Sequence, residues 1–223
     1  MNWLKRAVDS SIGKKLVMGL TGFLLIGFCI VHLSGNFLLY AGFDQYNIYA
    51  ETLHSTFLLY YAEVALLLLF LGHVFYAFQT TLANRRSRNG AYAMKRSKQG
   101  RGSWTPSAIM FVSGAIVLGF VILHVAEFRF ELRLKGFEGE SPADRTLRIL
   151  QDPISASVYF FGSLLLGYHL WHGFQSAFQT LGVNHPKFTP WIKKIGVVLA
   201  VVLALGFASF PVWAMLKKYG VQL

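Results

Sequence analysis

The sequence predicts an all-α integral membrane protein with five transmembrane helices, and three observations carry that reading. Hydrophobic residues make up 54% of the 223 positions and charged residues only 14%, where a soluble domain carries roughly a quarter charged. Five apolar runs, at about 15–40, 58–82, 106–127, 154–180 and 193–216, each reach the ~20 residues that cross a ~30 Å hydrocarbon core as a helix. Stretches such as EVALLLLFLGHVF and VVLAVVLALGFASF lack the alternation over ~10 residues that marks a membrane β-barrel. No internal repeat stands out. The basic stretch 84–105 is the only break, so residues 1–223 read as a single membrane domain.

Helix I is too long for the 7–15-residue core of a signal peptide and holds His32, so it reads as a retained span. It also holds Cys29, the single cysteine, which excludes a disulfide framework or a thiolate metal cluster and reads as a packed thiol. Helix II carries Glu63 near its start and His73 further along; helix III carries His124, with Glu127 at its edge. Helix IV carries His169 and His172, and helix V has no histidine. Trp3, Trp104, Trp191 and Trp213 fall near the ends of the runs, where aromatic belts sit.

Charge sets the expected orientation. The N-terminal tail, the 84–105 stretch and the link before helix V hold fourteen of the twenty-one Lys and Arg, and the loop between helices I and II holds none. By the positive-inside rule the N-terminus is cytoplasmic and the C-terminus outside, as a multi-pass protein of a cell's inner membrane. Such a basic face suits anionic lipid or a docked cytoplasmic protein. No aromatic-interleaved basic domain points to nucleic acid.

Ionisable residues inside a membrane are costly and usually functional, and four successive helices each carry a histidine. At about 1.5 Å per residue, His32 and His124 lie roughly 26 and 27 Å from the cytoplasmic ends of their helices. His73 lies roughly 14 Å from that side, and His169 and His172 roughly 17 and 12 Å. Two pairs of imidazoles, one above the other, are what two six-coordinate b-type haems require, with no open position and hence electron transfer rather than oxygen binding. Gly22, Gly27, Gly35, Gly72 and Gly173 flank these histidines and would leave room for flat groups. Zinc fits less well, since it prefers four ligands in one cluster. Depth alone leaves His169 and His172 as alternatives.

The residues resemble the di-haem cytochrome b membrane anchor of succinate dehydrogenase and fumarate reductase, in its form with one five-helix subunit. The likeness runs through SSIGKKLVMGLTGFLLIGFCIVHLSGNFLLYAG, EVALLLLFLGHVFYAFQTTLANRRSR and GYHLWHGFQSAFQTLG, with helix V matching only in apolar character. The resemblance implies that helices I–IV form the haem-binding bundle. His32 and His124 would hold the distal haem b, and His73 and His169 the proximal one. His169 is preferred because it stands four residues before Gly173, with His172 as the alternative. It further implies a soluble flavoprotein and an iron–sulfur subunit as cytoplasmic partners. Electrons would pass to ubiquinone or menaquinone, or back to fumarate, without this chain binding succinate.

A quinone needs hydrogen-bond partners and a proton route. Glu63, His54 and Tyr60 on the outer side, and Ser11, Lys14 and Arg85 on the cytoplasmic side, are the candidates. Glu63 has a structural alternative, pairing with a neighbouring tyrosine or with His54. Two other functions compete: a di-haem quinol-oxidising subunit of another respiratory complex, and a haem-free transporter that relays protons along its histidines.

Overall fold

In the computed structural model, residues 3–86 and 106–221 are described, and they contain helices and no strand. In chain order these are α1 (Trp3–Asp9), α2 (Ser11–Asn36), α3 (Leu38–Ala41), α4 (Phe43–Ser55), α5 (Leu58–Arg86), α6 (Pro106–Phe128), α7 (Pro142–Leu150), α8 (Pro153–Thr180) and α9 (Thr189–Lys218). Four stretches are long and apolar enough to cross a membrane by themselves: Ser11–Ala41, Leu58–Asn84, Met110–Phe128 and Thr189–Lys218. α8, joined to α7 at a bend of 87°, makes a fifth. The basic stretch that follows α5, with Trp104, lies outside the described residues.

Lipid, not water, must surround this bundle. The most apolar part of α5 has none of its residues buried inside the protein, and Leu67, Leu68, Leu71, Phe75 and Phe78 are each more than half exposed. Leaving such a side chain in water forfeits about 1.5–3 kcal/mol apiece. The chain is therefore a multi-pass membrane protein.

Local signals fix the helix ends. The Ser10 side chain accepts from the Gly13 amide at the start of α2, and Asp152 accepts from the Ser155 amide at the start of α8, each satisfying a donor that has no partner within its helix. Pro142, Pro153 and Pro190 occupy first-turn positions, where a missing N–H costs nothing. Gly42, at φ +146°, turns the chain between α3 and α4.

Two connections expected as loops are helical. α4 and α7 cap the far end of the bundle, opposite the end where α2 begins. Ala143, Thr146, Ile149 and Leu150 of α7 are buried, a spacing of three and four that gives one inward face. Ser141 and Asp144 close its first turn reciprocally, the Ser141 hydroxyl accepting from the Asp144 amide and donating to its carboxylate. Asn47 of α4 accepts from the Ala143 amide at 2.8 Å. Phe137 is 2% exposed, with the Arg148 guanidinium 3.9 Å from its ring centre.

α2 packs along α5 and α8, α6 packs along α8, and α5 meets α6 only briefly. The four thus stand in the ring order α5, α2, α8, α6, with α2 diagonal to α6 and α5 diagonal to α8. α9 lies against α8 and touches α2. Small residues permit this closeness. A Cβ on Gly167 would lie 2.4 Å from Ala204 Cβ, and one on Gly206 2.7 Å from Leu33 Cδ2.

Although no internal repeat stands out along the chain, the two hairpins of the ring carry short matching strings. TGFLLIGFCIVH (Thr21 to His32, in α2) and SGAIVLGFVILH (Ser113 to His124, in α6) share both glycines, a phenylalanine, an isoleucine and the histidine at equal offsets, with a hydroxyl leading each. HVFYAFQT (from His73, in α5) and HLWHGFQS (from His169, in α8) share the histidine and Phe-Gln, with a small residue before and a hydroxyl after. Against an apolar background such strings resemble any membrane helix. The packing of α2 on α5 and of α6 on α8 gives them meaning.

Candidate functional site

The far pair comes from equivalent positions of the two hairpins. The rings of His32 on α2 and His124 on α6 face each other edge to face, with centres 5.8 Å apart across the diagonal. Aromatic rings surround them. Phe28 stacks on His32 at 5.3 Å and Phe207 of α9 lies at 5.8 Å, while Phe120, Phe128 and Tyr159 surround His124. Among the described residues neither ring nitrogen has a hydrogen bond.

The near pair is built differently. His73 Nδ1 on α5 lies 3.2 Å from the Thr21 hydroxyl and 3.2 Å from the Met18 carbonyl of α2. His169 Nδ1 on α8 lies 3.1 Å from the Ser113 hydroxyl of α6. Thr21 and Ser113 are the residues that open the repeated string. The glycine that follows each sits against the same ring atom: a Cβ on Gly22 would lie 3.3 Å from His73 Cε1, and one on Gly114 3.2 Å from His169 Cε1. His73 and His169 stand on α5 and α8, the helices of the other diagonal.

No family model, curated protein or solved structure matches the chain. Function must therefore be argued from the residues themselves.

His172, the alternative to His169, makes its ring contacts within its own helix, with Tyr168 at 4.9 Å and Trp171 at 4.7 Å. In the repeat it corresponds to Tyr76, whereas His169 corresponds to His73. Among the glycines expected to leave room, Gly22 abuts a pair histidine, but Gly35 admits Tyr49, whose hydroxyl would lie 2.5 Å from an added Cβ. Gly173 has only Met110 nearby, and Gly27 and Gly72 have nothing within 4 Å. Cys29 is a free, half-buried thiol.

Glu63 pairs with neither a tyrosine nor His54. It forms a two-point ion pair with Arg129 just beyond α6, both contacts at 3.1 Å. His54 is exposed at the end of α4, and Tyr60 is exposed on α5. Ser11 is exposed at the start of α2 and Lys14 is half-buried; the Arg85 side chain lies outside the described residues.

The far end holds a polar cluster that the sequence did not reveal. Glu127, one turn beyond His124, is 1% exposed. Its Oε1 accepts from Arg133 and, at 2.8 Å, from the Ser155 hydroxyl. Arg133 also reaches Asp152 at 2.6 Å. Burial alone would raise the Asp152 carboxyl, but the Ser155 amide and the Arg133 guanidinium outweigh it and hold it below the usual carboxylate range. The Tyr159 hydroxyl lies beside Glu127 without hydrogen-bond geometry, and it and Glu127 Oε2 are buried without partners. The only advance signal was the pair Glu127 and Asp152 at the two ends of a charged connection.

The donor set fits two bis-imidazole groups. Among the described residues no cluster of three or more His, Cys, Asp or Glu suits a metal ion. Each near-pair histidine uses Nδ1 for a hydrogen bond, and Nε2 is its other ring nitrogen.

Proposed function

We propose that this chain is the di-haem b membrane subunit of a succinate:quinone oxidoreductase, passing electrons between an iron–sulfur protein and a membrane quinone. The observation that carries the reading is the pairing itself. His32 and His124, from equivalent positions, meet across one diagonal of a four-helix ring, and His73 and His169, also equivalent, each engage a hydroxyl on the first helix of their own hairpin. His32 and His124 would hold one haem, His73 and His169 the other. When bound, such haems supply reversible one-electron transfer at an iron with no open position.

The chain's own residues hold and orient. Thr21, Met18 and Ser113 engage the near imidazoles. Phe28, Phe120, Phe128, Phe207 and Tyr159 exclude water around the far ones. The excess of Lys and Arg at the end where α2 begins supports a cytoplasmic near end, docked to an iron–sulfur subunit that carries a flavoprotein. The quinone, of either type, would be reduced or oxidised with succinate or fumarate handled by those partners.

A dithionite-reduced minus oxidised spectrum, with a pyridine haemochrome assay, tests the reading. About two haems b per chain are expected, falling to about one in His73→Ala and in His124→Ala. His169→Ala should lose one haem and His172→Ala none. A chain with no haem would sink the proposal and leave the histidine-relay transporter to pursue.

A further inference from the structure

Each near-pair histidine meets a hydroxyl from the first helix of its own hairpin. That hydroxyl has one hydrogen to give. Thr21 Oγ1 lies 2.8 Å from the Val17 carbonyl and 3.0 Å from the Met18 carbonyl, and Ser113 Oγ lies 3.1 Å from the Met110 carbonyl. Thr21 Oγ1 lies nearer to these carbonyls than to His73 Nδ1, at 3.2 Å, so its hydrogen goes back into the helix, its oxygen offers only lone pairs, and Nδ1 is the donor. Ser113 Oγ lies 3.1 Å from both the Met110 carbonyl and His169 Nδ1, and its equivalent place in the repeat carries the same direction over to it. For His73 the Met18 carbonyl, which can only accept, imposes the same tautomer independently. The glycine beside each hydroxyl brings the ring against its own helix backbone, so orientation and tautomer are set together.

We infer that Thr21 and Ser113 are equivalent positioning residues, one per hairpin, that hold His73 and His169 in the Nδ1–H tautomer and leave both Nε2 lone pairs free for the near haem. This rests on the haem reading above. Among the described residues the far pair has no such partners: the rings packed on His32 and His124 are aromatic. The two levels are therefore built with different ligand electronics. An imidazole that donates from Nδ1 is a more basic ligand and favours the oxidised iron.

The test is a redox titration of the full complex, resolved into its two haem components. In Ser113→Ala the reduced-to-oxidised ratio of one component, read at its wild-type midpoint, should rise about three- to tenfold while the other stays put. Thr21→Ala should shift the same component less, because the Met18 carbonyl still holds His73. Ser113→Thr and Thr21→Ser should restore the wild-type curve, which loss of packing alone would not predict. Two retained haems with unshifted titrations in both alanine variants, or equal shifts in both components, would overturn the inference while leaving the haem function intact. 15N NMR of histidine-labelled, haem-free full chain reads the tautomer separately. Nδ1–H at His73 and His169, with that of His169 lost in Ser113→Ala and that of His73 kept by Met18 in Thr21→Ala, supports the inference even if the haem reading falls; Nε2–H in the unmutated chain overturns it.

Discussion

Removing Arg133 strands a carboxylate. Glu127 is 1% exposed, and its charged partner is Arg133. Breaking a buried ion pair from one side costs about 3–5 kcal/mol, because the remaining charge is left uncompensated. The Arg133 side chain is itself 29% exposed, so water reaches part of the space it vacates. The lower end of that range, about 3 kcal/mol, is therefore expected for Arg133→Ala. The second partner adds little. Asp152 is 25% exposed, and half-solvated pairs are worth about 0–1 kcal/mol. Adding Glu127→Gln removes the stranded charge while the Ser155 hydroxyl can still donate to the amide oxygen. The double variant should thus be more stable than Arg133→Ala by about 2 kcal/mol, with the remainder due to an unpaired buried amide. Reversible unfolding of the chain in mixed micelles, followed by tryptophan fluorescence, gives the four corners of the cycle. If the double variant is no more stable than Arg133→Ala, or if Arg133→Ala costs under 0.5 kcal/mol, the cluster does not hold the far end and the reasoning fails.

Gly167→Ala puts a methyl 2.4 Å from Ala204 Cβ and 2.9 Å from the Ala200 carbonyl. Parting α8 from α9 should cost about 1–3 kcal/mol, whereas Gly119→Ala meets nothing within 4 Å and should be neutral or stabilising by up to about 1 kcal/mol; the same unfolding assay compares them. Glu63→Gln should change stability by less than about 1 kcal/mol, since the Glu63 and Arg129 side chains are 36% and 50% exposed; a larger loss would mean that lipid closes over the pair. The depressed Asp152 carboxyl stabilises the fold above the unfolded aspartate value of about 3.9, and that contribution is lost as pH falls through the lower folded value. Asp152→Asn keeps a good helix cap but should flatten stability against pH below about 4, read by acid titration of the folded fraction.

The membrane spans were legible in the chain, because run length and apolarity are summed locally and the bilayer sets their scale. The spans at 58–82, 106–127 and 154–180 reappear as α5, α6 and α8 with small shifts at their ends. Histidine depth was legible for the same reason, since rise per residue converts position into level. Packing settled what depends on rotation about each helix axis and on which helices touch. It set His169 against Ser113 while His172 stacks on its own helix, gave Glu63 to Arg129, and filled the space at Gly35 with Tyr49. The helices at 43–55 and 142–150 went unread because their inward faces are short and mixed with polar residues, and become apolar surfaces only once Asn47 and Phe137 bring them together. The repeated hairpin was written in the chain throughout. It became visible only where two glycines and two hydroxyls met two imidazoles in the same way, since in an apolar helix packing, not composition, distinguishes one position from another.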